Sequence, residues 1–141
     1  DVREIKNDGQ DFVLNTGSPH YVTMNSDHSA ETVVALGKSI RYSERYSQDG
    51  INVNLLSVED DGIRVATYER GVEDETLSCG TGVTACALVY AMKSESLSQR
   101  VKVRTKGGNL EVAWEKNAHG FQHIFLIGPA TFVYQGKIER C

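Results

Sequence analysis

Cysteine is scarce in this sequence, with only Cys79, Cys86 and Cys141 among 141 residues. An odd number in a chain of this size makes no disulfide framework. If Cys79 and Cys86 occupy the start and middle of one helix, a rise of about 1.5 Å per residue sets their Cα atoms about 10 Å apart, too far to bridge. Reduced thiols and a cytoplasmic setting are the simplest account. Long apolar runs are also absent. None approaches the roughly 18 residues of a spanning helix, and the opening DVREIKNDGQ is too polar for a secretory signal. The reading is a soluble chain with no membrane partner. A basic block is missing too: net charge is -4 and the Lys and Arg residues are scattered, whereas binding nucleic-acid phosphates needs them clustered. The most basic stretch, RVKVRTKGG at 100–108, alternates charge with valine as the solvent face of a strand does. His28, His119 and His123 share no metal-ligand spacing with a cysteine, so no metal site is expected.

What is present suits one globular domain over residues 1–141, with 40% apolar and 24% charged residues. QDFVLNT and HYVTMN read as strands flanking the turn cluster Gly17-Ser18-Pro19. SAETVVALGKSIRY carries Val33, Leu36 and Ile40 on one helical face. Asp27 or Ser29 is its candidate N-cap, and a capping box is absent because Glu31 comes one residue too early. GINVNLLSVE and GIRVATYER form a hairpin across Glu59-Asp60-Asp61-Gly62. GTGVTACALVYAMK is apolar on nearly every side from Val83 to Met92, which predicts a helix wrapped by protein. VKVRTKGGNLEVAWE reads as a hairpin turning at Gly107-Gly108-Asn109, and FQHIFLIG with ATFVYQG completes the strand set. Strands come in runs and helices number two, without repeats or linkers. The expected class is α+β, a mostly antiparallel sheet wrapped around a central helix, rather than a parallel doubly wound sheet.

The stretch TLSCGTGVTACAL carries the most chemistry. A thiol at the first turn of a helix meets unsatisfied backbone N–H groups and the positive end of the macrodipole, so a Cys79 thiolate is stabilised there. The amides of Gly80, Thr81 and Gly82 are open to an anion such as a carboxylate. In YERGVEDET, the planar guanidinium of Arg70 suits two-pronged binding of a carboxylate. On composition alone the plainer readings are preferred. Cys79 is then a packed structural residue, Glu69 and Arg70 a solvated strand end, and His20 a surface residue in a turn. Cys86 and Trp114 read as core, and Cys141 has no argued role.

Taken together, TYERGVEDETLSCGTGVTACAL, GSPHYV, INVNLL and GPATFV resemble the diaminopimelate epimerase family, in order and across most of the chain. The resemblance implies an enzyme that interconverts stereoisomers of diaminopimelate, in lysine and peptidoglycan synthesis, without pyridoxal phosphate or metal. It implies two pseudo-symmetric domains, each a sheet around a helix, with the substrate between them and one acid/base cysteine from each. Two bases are needed because a single one tends to return the proton to the face it left. Carried over by motif, Cys79 is one of these thiols, and Gly80 and Thr81 bind substrate at the helix mouth. Arg70 grips a carboxylate, Glu69 contacts substrate and, with His20, tunes the thiol; Asn52 is the strand's substrate-binding residue.

Three departures stand out. Ser18 occupies the family's Asn position, where it lacks an amide's paired donor and acceptor. GVEDET is one residue longer than the usual spacing to the cysteine. The family's first half, with the partner cysteine, has no counterpart here, so the chain resembles an isolated C-terminal domain expected to be inactive alone. The segment Thr131 to Cys141 is expected to lack its native neighbour, leaving an edge open to another molecule, a homodimer included. The alternatives are a related racemase or isomerase of the same fold acting on proline-like or other acids, and a non-catalytic binding module with an inert Cys79.

Overall fold

The computed structural model describes residues 1–94 and 97–139. In chain order its elements are β1 (Ile5–Asp8), β2 (Asp11–Asn15), β3 (Pro19–Met24), α1 (Ala30–Arg41), β4 (Asn52–Glu59), β5 (Gly62–Glu69), β6 (Asp74–Thr76), α2 (Gly80–Lys93), β7 (Arg100–Thr105), β8 (Gly108–Asn117) and β9 (Gly120–Ile127). The strands form one sheet in the order β1-β2-β3-β4-β5-β7-β8-β9, with β6 paired to β5. Pairing is antiparallel except at β3–β4 and β5–β7. Those two parallel pairs are the places where the chain crosses over through a helix, as parallel neighbours require.

Alternation along the strands gives the sheet two apolar faces. Phe12, Leu14, Val22, Leu56, Ile63 and Val65 face inward onto α2. Tyr21, Val53, Leu55, Ala66 and Tyr68, one residue out of phase, face outward with Val33 of α1. The sheet coils until its ends meet, where Val2 and Phe121 exchange both backbone hydrogen bonds at 2.9 Å. Helix α2 is thereby enclosed, with Val83, Cys86, Leu88 and Val89 fully buried. Each such aliphatic side chain contributes about 1.5–3 kcal/mol by leaving water. Trp114 packs edge-on against Phe121 with centroids 6.4 Å apart.

The α+β expectation and both helices hold. Helix α1 is capped by Ser29, whose hydroxyl accepts from the Thr32 amide at 3.4 Å. Asp27 contributes as well, accepting from the Ser29 amide at 2.9 Å. The basic stretch lies on β7 with Val101 and Val103 buried and Arg100, Lys102 and Arg104 in solvent.

Four local readings need correction. The β7–β8 turn falls on Lys106-Gly107, one residue early, because Thr105 pairs with Gly108. ATFVYQG forms no strand: its β-favouring residues have no neighbouring backbone to pair with, and Phe132, Val133 and Tyr134 are about four-fifths exposed (79%, 82% and 83%). Strands β1 and β6 escape the sequence because IKND and DET are short and polar; pairing alone defines them. His20 is no surface residue, since it lies inside β3 and is fully buried. Cys141 lies outside the described residues.

Candidate active site at the mouth of the central helix

The inner face of the sheet changes character at one end. Above Leu14, Val22, Leu56 and Val65, the same inward rows continue as Thr16, His20 with Ser18, Asn54 with Asn52, and Thr67. The register brings these polar side chains level with one another. His20 pairs with Leu14 and Asn52, and Asn54 with Val22 and Thr67. They sit beneath the N-terminus of α2, where Gly82 lets the helix lie close: a Cβ there would run into Asn54 Oδ1. His20 and Asn54 are fully buried, and Asn52 and Thr67 nearly so. Such groups cost free energy unless hydrogen-bonded.

They are bonded, and to each other. Thr81 Oγ1 lies 2.9 Å from His20 Nε2, 3.2 Å from Ser18 Oγ and 3.5 Å from Cys79 Sγ. Ser18 Oγ is 3.0 Å from His20 Nε2 and accepts from Asn52 Nδ2 at 3.2 Å. Behind them Asn54 Nδ2 is 3.0 Å from His20 Nδ1, and Thr67 donates to Asn54 Oδ1 at 2.9 Å. Thr16 donates to the Thr81 carbonyl at 2.8 Å, tying β2 to the helix. Burial pushes the His20 pKa down to about 4, helped by the positive charge of Arg70, so the imidazole is neutral near pH 7.

Cys79 is the N-cap residue of α2, in extended conformation and without a side-chain cap bond to the helix amides. It is 9% exposed and belongs to neither apolar cluster. Its sulfur meets the polar ring through Thr81 Oγ1, 3.5 Å away. Cys86, about two turns further along α2, is fully buried, and burial pushes its thiol pKa far up. Both thiols are free.

The structure thus joins Cys79, Thr81, Ser18, His20 and Asn52 in one bonded cluster. Arg70 enters it through its backbone, whose N–H donates to Asn52 Oδ1 at 2.9 Å, while its exposed guanidinium donates to the Asp49 carbonyl at 2.9 Å. Glu69 is half-buried at the end of β5, and its carboxylate makes no hydrogen bond or ion pair among the described residues. Gly80 lies against Leu126 of β9, whose Cδ2 would be 2.9 Å from an added Cβ. Beside this contact opens a cleft of about 460 Å³, bounded by Gly17, Thr84, Ile124 and Leu126 among others. The turn at Gly71-Val72-Glu73 between β5 and β6 is held by Glu73, at φ 61°. Its carboxylate accepts from Arg41, Tyr42, Tyr68 and the Gly71 amide. Those bonds keep the carboxyl below its usual pKa although burial opposes them.

Sequence reasoning missed Asn54, Thr67 and Thr16. The signal was available for Asn54: polar residues two apart in NVNLL share a strand face, and a second inward Asn in an otherwise apolar strand needs a buried partner.

A helix wrapped by a coiled sheet in this way is a fold that solved structures share. A phenazine biosynthesis protein of the PhzF family from Bacillus anthracis superposes with TM-score 0.57 at 17% identity, over 89% of this chain and 37% of that one. A Pseudomonas aeruginosa protein described as a predicted epimerase gives TM-score 0.56 at 14% identity, over 75% of this chain and 36% of that one. These likenesses are of fold. The family model for diaminopimelate epimerase matches residues 12–133, and the chain belongs to that family. It is 41% identical to the diaminopimelate epimerase of Flavobacterium psychrophilum over 97% of this chain and 54% of that protein. It is 40% identical to that of Aquifex aeolicus over 94% of this chain and 48% of that protein. The chain thus spans about half the length of the curated relatives it matches.

Proposed function

We propose that this chain is the C-terminal half of a two-domain, cofactor-independent diaminopimelate epimerase working in the cytoplasm, in lysine and peptidoglycan synthesis. The observation that carries the reading is the position of Cys79 Sγ at the mouth of α2, bonded to Thr81 and through it to His20 and Ser18. In this reading the Cys79 thiolate and a thiol from the other half face the substrate Cα from opposite sides. One takes the Cα proton, leaving its electron pair on carbon, and the other gives a proton to the opposite face. The two sulfurs exchange protonation states, and no net proton is consumed. Cys86 cannot be the second base, because it is packed in the apolar core around α2 and is fully buried.

The helix amides at Gly80 and Thr81 hold a substrate carboxylate, as an uncompensated N-terminus does. Arg70 serves the second charged end of the substrate by exchanging its bond to the Asp49 carbonyl for a carboxylate. Glu69, half-buried and without a partner among the described residues, offers an acceptor to a substrate ammonium. Ser18 and Asn52 form the polar floor. Leu126 and the exposed Phe125 and Ile127 beside it are the apolar rim on which the other half seats, shielding the carbanion from water.

The test is a stereoisomer assay on the complete protein containing this chain. Interconversion of LL- and meso-diaminopimelate, with no turnover by the chain alone, is the expected result. A complete protein inert toward diaminopimelate but active on proline would assign the site to another isomerase of this fold.

A further inference from the structure

Two buried amides beneath α2 have orientations that the surrounding backbone leaves no choice about. The Tyr21 carbonyl can only accept, so the Asn54 atom 3.0 Å from it is the NH2 group, and the opposite Oδ1 takes the Thr67 hydroxyl hydrogen at 2.9 Å. Asn52 is fixed at both ends: its NH2 donates to the Pro19 carbonyl at 2.9 Å, and its Oδ1 accepts the Arg70 amide at 2.9 Å.

Direction then propagates. The second hydrogen of the Asn54 NH2 faces His20 Nδ1 at 3.0 Å, so that nitrogen must offer a lone pair, and a neutral ring carries its single hydrogen on Nε2. Nε2–H points to Thr81 Oγ1 at 2.9 Å, with Ser18 Oγ at 3.0 Å. Ser18 already accepts from Asn52, which leaves its own hydrogen for Thr81 Oγ1 at 3.2 Å. With two donors arriving, the Thr81 hydroxyl has its hydrogen left for Cys79 Sγ at 3.5 Å.

We propose that Asn54 is a positioning residue for Cys79: it selects the Nε2–H form of His20 and thereby turns the Thr81 hydroxyl hydrogen onto the sulfur. Asn54 touches no substrate. It acts through His20 and Thr81, and its effect is to supply a donor to the deprotonated sulfur before substrate arrives. The consequence for catalysis rests on the functional reading above, whereas the tautomer does not. Gly82 belongs to the same device, since only a residue without Cβ lets α2 settle onto the Asn54 amide.

The experiment is a long-range proton–nitrogen spectrum of the complete protein labelled at its imidazole nitrogens, at pH 7, with His20 assigned by its loss in His20→Gln. The wild type is expected to show His20 protonated at Nε2 and bare at Nδ1. In Asn54→Asp, whose carboxylate only accepts, the proton moves to Nδ1. A wild-type His20 protonated at Nδ1, or averaging between both forms, overturns the proposal, and that readout needs no variant to fold. A second measurement follows the sulfur: iodoacetamide labelling of Cys79, mapped by peptide, should slow about tenfold in Thr81→Val and recover in Thr81→Ser, as loss and return of a bond to a charged group dictate. Equal labelling of wild type and Thr81→Val overturns it. A complete protein inactive on diaminopimelate, with His20 in the Nε2–H form, sinks the functional reading and leaves this one standing.

Discussion

His20 follows a Gly-Ser-Pro turn, which on composition places it at the surface. The turn instead opens directly into β3, and inward alternation puts the imidazole under α2 with no exposure. Its burial has a thermodynamic signature. Folding lowers the His20 pKa from an ordinary 6.5 to about 4, so between those values the unfolded chain holds a proton that the folded chain does not. Stability is therefore whole above pH 6.5 and falls as pH drops toward 4, by on the order of 3 kcal/mol from this residue. Urea unfolding at pH 7 and pH 4.5 should show that loss, and His20→Asn should flatten the difference while lowering stability at pH 7. An unchanged pH slope in the variant contradicts the buried neutral ring. At the same scale Cys79 and Thr81 were readable as candidates from the chemistry of a helix mouth, and Asn52 and Ser18 only through the family motifs. Asn54 showed only in its spacing of two from Asn52, and Thr67 not at all, because a buried polar side chain looks like any strand residue until the register shows what lies opposite it.

At the scale of elements, the sequence speaks clearly where periodicity is strong. Helix α2 reads as enclosed because it is apolar all round, and α1 as one-faced because Val33, Leu36 and Ile40 recur on one side. The β4–β5 hairpin follows from alternation and an acidic turn closed by glycine. Strands β1 and β6 are defined by partners rather than by composition, and ATFVYQG shows the converse, strand-forming residues without a partner. Close approach is the other feature that single residues conceal. Gly37 of α1 accommodates the Tyr68 ring, and Gly82 of α2 accommodates Asn54. Gly82→Ala forces the first turn of α2 away from the Asn54 amide, at a cost of about 1–3 kcal/mol in unfolding free energy. Labelling of Cys79 should slow in the same variant, because Thr81 moves with the helix. Wild-type stability and labelling together would show that the helix does not bear on that amide.

For the whole molecule, the sheet encloses one helix and leaves its polar mouth open beside an apolar rim. Phe125, Leu126 and Ile127 of β9 are exposed, as are Phe132, Val133 and Tyr134 beyond it. No helix among the described residues is long and apolar enough to cross a membrane. The relatives are about twice as long as this chain, and in the proposed reading their other half covers that rim and brings the second thiol. The expectation of such a half comes from the family resemblance alone, since nothing in composition or periodicity announces it.

The most direct measurement is incorporation of solvent deuterium at the Cα of diaminopimelate by the complete protein, comparing Cys79 with Cys79→Ser. Exchange by the wild type is expected, with a loss of at least about 10²-fold in the variant, the scale of a lost acid/base group. Undiminished exchange in Cys79→Ser would contradict the role of that sulfur.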